Sequence, residues 1–119
     1  RLAETYLLLA EAYLRQDMPD KAADAVNEVR RRAKVSDVSD EEMTMDFLLD
    51  ERIRELYGEE SRRFTLIRTG KLLERVRKYN PEARDLIQDF HVLWPIPQAI
   101  RDANVGNFPQ NPGYEGYEG

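Results

Sequence analysis

Apolar side chains from Leu2 to Leu14 recur every three or four positions in two adjoining series, Leu2-Tyr6-Leu9-Tyr13 and Ala3-Leu7-Ala10-Leu14. At helical periodicity these form neighbouring stripes. The segment from Leu2 to Arg15 therefore predicts a helix buried on most sides, with Glu4, Leu8, Glu11 and Arg15 left for solvent. Asp17 and Met18 break the pattern. Pro19, with its fixed φ and no N–H to lose, suits the first position of a second helix running to about Lys34. That helix places Ala22, Val26, Val29 and Ala33 on one face, where small alanines allow a neighbour to come close. So short a turn makes the two helices antiparallel partners.

Such a hairpin is the unit of tetratricopeptide repeats. The repeat's preferred aromatic, leucine, small, tyrosine, small and large positions fall here on Tyr6, Leu9, Ala10, Tyr13, Ala22 and Val26. One copy is legible, and a solitary repeat leaves one face unburied. Further helices are thus expected to stack on it, within the chain or in a larger protein of which this is a fragment.

Residues 35 to 39 read as a polar loop, and Ser39 with Glu42 forms a capping-box signature that starts a third helix near Asp40. Met45, Leu49, Arg52, Leu56, Glu59 and Arg63 then share one stripe, so charges lie among core leucines. Unpaired buried charge is costly, which predicts ion pairing, with Glu59 and Arg63 suitably spaced. Gly58 either ends this helix or loosens it, and Gly70 is a clearer break. Leu72, Val76 and Tyr79 mark a short amphipathic helix, and Asn80-Pro81 suits the start of another turn. Phe90 to Trp94 reads as extended, Pro97 opens a last turn through Ile100, and residues 104 to 119 have no periodicity. The fold class is all-α: tetratricopeptide-like helical hairpins with a proline-rich extended C-terminal segment. Its two proline words are Trp94-Pro95-Ile96-Pro97 and Gln110-Asn111-Pro112-Gly113-Tyr114.

A chain of 119 residues fits one domain. Its net charge of −5, from 18 basic and 23 acidic side chains, supplies no positive field to recruit a phosphate backbone, so nucleic acid is not an expected partner. The one basic cluster, Arg30-Arg31-Arg32 with Lys34, ends the second helix, where cations complement exposed carbonyls. The absence of cysteine excludes disulfides, thiolate metal sites and cysteine nucleophiles. With His91 the single histidine, neither a metal site nor a cofactor is implied. No apolar run is long enough to cross a bilayer.

Catalytic machinery is not evident, and the chain reads as non-enzymatic. His91 has no nucleophile pattern beside it, and Glu51 and Glu55 form an ordinary i,i+4 carboxylate pair. The candidate ligand contacts are Trp94, Tyr114 and Tyr117, because aromatic faces stack on the C–H surfaces of sugars while polar edges bond hydroxyls. The plainer reading of Trp94, beside two prolines, is an anchor whose buried indole holds extended chain to the core.

Four words, in order, resemble the C-terminal region of the SusD/RagB family over nearly the whole chain. They are Arg1 to Ala12; Ala22 to Ala33 with Asn27, Val29, Arg30 and Arg32-Ala33; Leu49-Asp50-Glu51-Arg52 through Glu55-Leu56, Glu59, Arg62-Arg63-Phe64 and Leu66 to Leu72; and the proline-rich ending. Phe64 stands where the family often has Trp, and Thr65 where Asp is common. The resemblance implies an all-α C-terminal domain over residues 1–119, with its hairpin at about 2–34, in a Bacteroidetes outer-membrane lipoprotein. The implied parent sits on the external face through a lipid anchor outside this chain. It captures an oligosaccharide or other nutrient and delivers it to a SusC-like TonB-dependent transporter, without covalent chemistry. Binding residues vary within the family, and none transfers to this sequence. A generic tetratricopeptide adaptor gripping a peptide accounts for residues 2–34 but not the proline-rich ending. A helical accessory domain of a glycan-processing enzyme places the catalytic carboxylates elsewhere.

Overall fold

The computed structural model describes residues 1–118; Gly119, the end of the irregular tail, lies outside the described residues. Among them the architecture is all-α with no strand: α1 Leu2–Leu14, α2 Pro19–Arg32, α3 Met45–Glu55, α4 Arg62–Arg68, α5 Leu72–Tyr79, a 3-10 helix Asp89–Val92, and α6 Gln98–Asp102. The chain forms two compact units, Arg1–Glu60 and Ser61–Gly119.

In the first unit α1 and α2 make the tetratricopeptide-like hairpin. Ala3, Leu7 and Ala10 meet Ala22, Val26 and Val29, and Val38, Met43, Leu48 and Leu56 complete the core. Both α2 and α3 pack on α1, covering one side of it. The helix buries a single stripe where two were expected. Leu2 and Leu9 of the second stripe are exposed, as is Leu8, expected in solvent, whereas Glu11, also expected there, continues the Ala3-Leu7-Ala10 side and is only 3% exposed. Arg15 Nε donates to Glu11 Oε1 at 3.1 Å.

The end of α2 folds back through paired bonds, Lys34 N–H to Arg31 O and Val35 N–H to Arg30 O, both 3.0 Å. This closure requires a left-handed residue, and Lys34 takes it at φ 57°. A side chain in that region costs about 1 kcal/mol relative to glycine. The following loop is held by Asn27, a buried polar residue of α2. Its Oδ1 accepts Val38 N–H at 2.8 Å and its Nδ2 donates to Val38 O at 3.0 Å. With both backbone groups paired, Val38 enters the core at 5% exposure.

The Ser39–Glu42 capping box forms, with Glu42 N–H on Ser39 Oγ and Ser39 N–H on Glu42 Oε2, both 3.3 Å. It closes one turn only. The third helix begins at Met45, not near Asp40, because Thr44 Oγ1 accepts Phe47 N–H at 3.1 Å and is the operative N-cap. The helix stops at Glu55, and Gly58, at φ 76°, lies in the turn that follows, so the helical path is broken there rather than loosened.

The charged stripe does pair, with different partners. Arg52, 2% exposed, donates from Nε to Glu60 Oε1 at 2.5 Å, and its Nη2 lies 3.7 Å from Glu4 Oε1. Glu59 accepts Arg1 Nε at 2.6 Å, while Arg63 donates to His91 O. The Arg1 hydrogen bond holds the Glu59 carboxyl below its usual range. That contribution to stability is present above the unfolded carboxylate pKa and fades as pH falls through the lowered folded one; solvent exposure keeps it small.

In the second unit Leu66 and Leu72 are buried where α4 meets α5. Asn80 Oδ1 caps the next turn, accepting Glu82 N–H at 3.1 Å and Ala83 N–H at 3.0 Å. The run Phe90 to Trp94, expected to be extended, starts inside the 3-10 helix. A reciprocal cap between Gln88 and His91 drives that turn, with Gln88 N–H on His91 Nδ1 at 2.8 Å.

Two variants test the loop and the helix end. Asn27→Ala leaves Val38 N–H and C=O without their partner, so it should cost about 3 kcal/mol in urea unfolding, at roughly 1–3 kcal/mol per buried group. Lys34→Gly removes the left-handed strain and should raise stability by about 0.5–1 kcal/mol, with the denaturant slope unchanged.

Candidate functional site

Between Leu93 and Pro97 the chain runs extended, with Leu93 at φ −103°, ψ 153° and Pro97 at φ −55°, ψ 135°. Proline has no N–H, so Ile96 supplies the only backbone donor within Pro95-Ile96-Pro97. Gln110, 7% exposed, satisfies it. Its Oε1 accepts Ile96 N–H at 2.7 Å and its Nε2 donates to Ile96 O at 2.9 Å, as a neighbouring strand would. Asn111 Nδ2 donates to Trp94 O at 2.7 Å, and the Tyr114 hydroxyl donates to Leu93 O at 2.8 Å. Three residues of one proline word thus clamp the backbone of the other.

Gly113 makes the closure possible. At φ 86° it passes so near Phe90 that a Cβ there would come within 2.2 Å of the ring. The Tyr114 ring meets the same Phe90 edge to face at a centroid distance of 5.0 Å. Arg101 holds the tail further along, donating to Phe108 O at 3.1 Å and Gly116 O at 3.2 Å.

The three aromatic candidates separate within this frame. Tyr114 is part of the clamp, with hydroxyl and ring both engaged. Tyr117 is about half exposed, and its N–H bonds Tyr114 O. Trp94 is 56% exposed, so the strap is anchored by its backbone and not by a buried indole. The Arg63 guanidinium stacks 4.4 Å from the Trp94 ring centroid. Its Nη2 donates to His91 O, while its Nε is buried without a hydrogen-bond partner. The indole is therefore presented to solvent from a fixed base, backed by a cation on one face.

The dismissed carboxylates are occupied by arginines. Glu51 Oε2 accepts Arg30 Nη1 at 2.7 Å and Arg54 Nη1 at 2.9 Å, and Glu55 Oε1 accepts from Arg1 and Arg32. Arg31 pairs with Asp37 and Glu28, and the Asp37 hydrogen bond raises its guanidinium further. The three arginines of the basic cluster are thus spent on neighbouring carboxylates. Among the described residues, no group of His, Asp and Glu is arranged to hold a metal ion, and no helix is long and apolar enough to cross a membrane.

Sequence reasoning missed Gln110 and Arg63. The signal for Gln110 was present: a Pro-x-Pro word leaves one N–H to satisfy, and a buried amide two proline words apart can do so from a distance in sequence. Nothing in the spacing announced that Arg63 would meet Trp94. On the open side of the hairpin lie two shallow grooves, about 230 Å³ beside Leu2, Tyr6 and Val29 and about 260 Å³ beside Tyr6, Leu9 and Tyr13.

The profile of the SusD family matches residues 1–114. Over 108 residues the chain is 36% identical to "SusD-like protein P25" of Formosa agariphila, covering 82% of this chain and 20% of that protein. It is 35% identical over 124 residues to "Starch-binding protein SusD" of Bacteroides thetaiotaomicron, covering 97% of this chain and 21% of that protein. The chain spans about a fifth of the length of these relatives. No solved structure matches it. Because the match runs from the first residue of the hairpin to Tyr114 of the clamp, the chain belongs to the SusD family.

Proposed function

We propose that this chain is a C-terminal domain, over residues 1–119, of a non-catalytic outer-membrane protein that binds a glycan or other nutrient and delivers it to a SusC-like TonB-dependent transporter. The observation that carries the proposal is the family match over residues 1–114, joined to 35% identity with a protein named for starch binding. Placement on the external face through a lipid anchor outside this chain belongs to the same reading. Carboxylates committed to arginines, at Glu51 and Glu55, support binding over catalysis.

Within that reading Trp94 is the preferred sugar contact and Tyr117 the second. An exposed indole on a fixed backbone offers a flat apolar face to the C–H surface of a pyranose. Tyr114 serves by holding the frame. A peptide-binding adaptor draws on the grooves beside Tyr6, but it leaves the strap and its exposed tryptophan without a role.

Titration with maltoheptaose and a panel of other oligosaccharides, followed calorimetrically, tests the assignment. Trp94→Ala should weaken binding about tenfold, the loss of about 1.4 kcal/mol of stacking. Tyr117→Ala should weaken it less, about threefold. Wild-type affinity in both variants dismisses the stacking site, and failure of the wild type to bind any glycan dismisses the glycan reading. Recovery of the protein from outer membranes together with a SusC-type transporter tests delivery.

A further inference from the structure

Trp94 combines two properties that seldom coincide, a large exposed apolar ring and a backbone fixed on both sides. Its own carbonyl is held by Asn111, the preceding carbonyl by Tyr114, and the Ile96 peptide by both ends of the Gln110 amide. Gln110 is the buried member of this set, and its Oε1 also accepts Asn111 N–H at 2.9 Å, so one side chain orients its own neighbour as well. Simple chain closure needs less than this. Packing of Gly113 on Phe90 and the Tyr114 ring already bring the two proline words together.

We propose that Gln110 is the positioning residue for Trp94, holding the strap so that the indole stands preorganised as a stacking platform for the apolar face of a neutral pyranose. This rests on the glycan-binding reading above. The physical effect is entropic. A side chain ordered before the ligand arrives does not have to be immobilised during binding, a difference of severalfold in affinity for a flexible aromatic contact. Arg63 contributes to the same end by stacking against the ring, while the Gln110 amide sets the backbone from which the ring projects.

Trp94 is the sole tryptophan of this chain, so its fluorescence reports on the proposal directly. Gln110→Met keeps the length and apolar bulk of the side chain but removes both bonds to Ile96. It should lower the steady-state anisotropy of Trp94, increase quenching by acrylamide, and weaken maltoheptaose binding about fivefold. Asn111→Ala, at a less buried position, removes the bond to the Trp94 carbonyl and should shift all three readouts the same way by a smaller amount. It serves as the deciding variant if Gln110→Met does not fold. Circular dichroism confirms that the helices persist in each protein compared.

If Trp94→Ala weakens binding while the strap variants keep wild-type anisotropy and affinity, the positioning role is overturned and the glycan reading stands. Increased mobility of Trp94 with unchanged affinity also overturns it. If Trp94→Ala itself leaves maltoheptaose affinity intact, the stacking site fails and this proposal fails with it. Loosened fluorescence together with weakened binding, in a chain whose Trp94→Ala variant is deficient, supports the assignment.

Discussion

Every buried peptide group outside a helix needs a partner, and in this protein side-chain amides provide the partners that strands would otherwise supply. Helices satisfy their own N–H and C=O groups, but the segments linking them do not. Asn27 solves the problem for Val38 in the first unit, and Gln110 solves it for Ile96 in the second, each with one donor and one acceptor on a single residue. Without the first, Val38 would have to leave the core or bury unpaired backbone. Without the second, the lone N–H between two prolines would lose its partner within the protein. An all-α chain can thus carry ordered extended segments without a sheet.

Charge is likewise paired locally, although Arg52 Nη1 and Arg63 Nε are buried without a hydrogen-bond partner. Arg52 is almost wholly buried yet meets Glu60 and Glu4, and the carboxylates of Glu51 and Glu55 are each shared by two arginines. Desolvation makes such pairs poor sources of net stability, but removing one partner is expensive, so they favour one arrangement of helices over others. A carboxylate committed to two guanidiniums is also ill suited to exchange protons with a substrate. Glu51 and Glu55, an ordinary i,i+4 pair in the sequence, each tie two arginines to α3 in the fold.

Periodicity made the helices legible, and α1 and α2 begin where the apolar stripes and Pro19 place them. The errors arose where two local signals competed or where the answer lay far along the chain. Ser39 and Glu42 form a genuine capping box, but Thr44 caps again one turn later and wins the helix start. Glu11 has the look of a surface residue, yet it continues the stripe that α2 and α3 cover. Glu59 and Arg63 have ideal spacing only if the helix persists, and it stops at Glu55, ahead of the turn at Gly58. Of the candidate contacts, the aromatic character of Trp94, Tyr114 and Tyr117 was visible, but not which of them spends its polar edge on the backbone. Tyr114 does so at Leu93, a partner distant in sequence.

That separation bears on the glycan-binding reading proposed above. A catalytic site must bring titratable groups together in strained or desolvated positions, whereas a receptor for sugars needs flat apolar faces held still. Here the polar groups near the strap are used up in holding backbone: Gln110 on Ile96, Asn111 on Trp94, Tyr114 on Leu93, and Arg63 on His91. Among the apolar side chains they leave facing solvent are Leu93 and the Trp94 ring. Proline contributes by removing conformations that the unbound chain could otherwise sample, and Gly113 by allowing the clamp to close against Phe90. The rigidity of the proline words and the exposure of the aromatic that opens the first are therefore two aspects of one arrangement, on which the proposed stacking role of Trp94 depends.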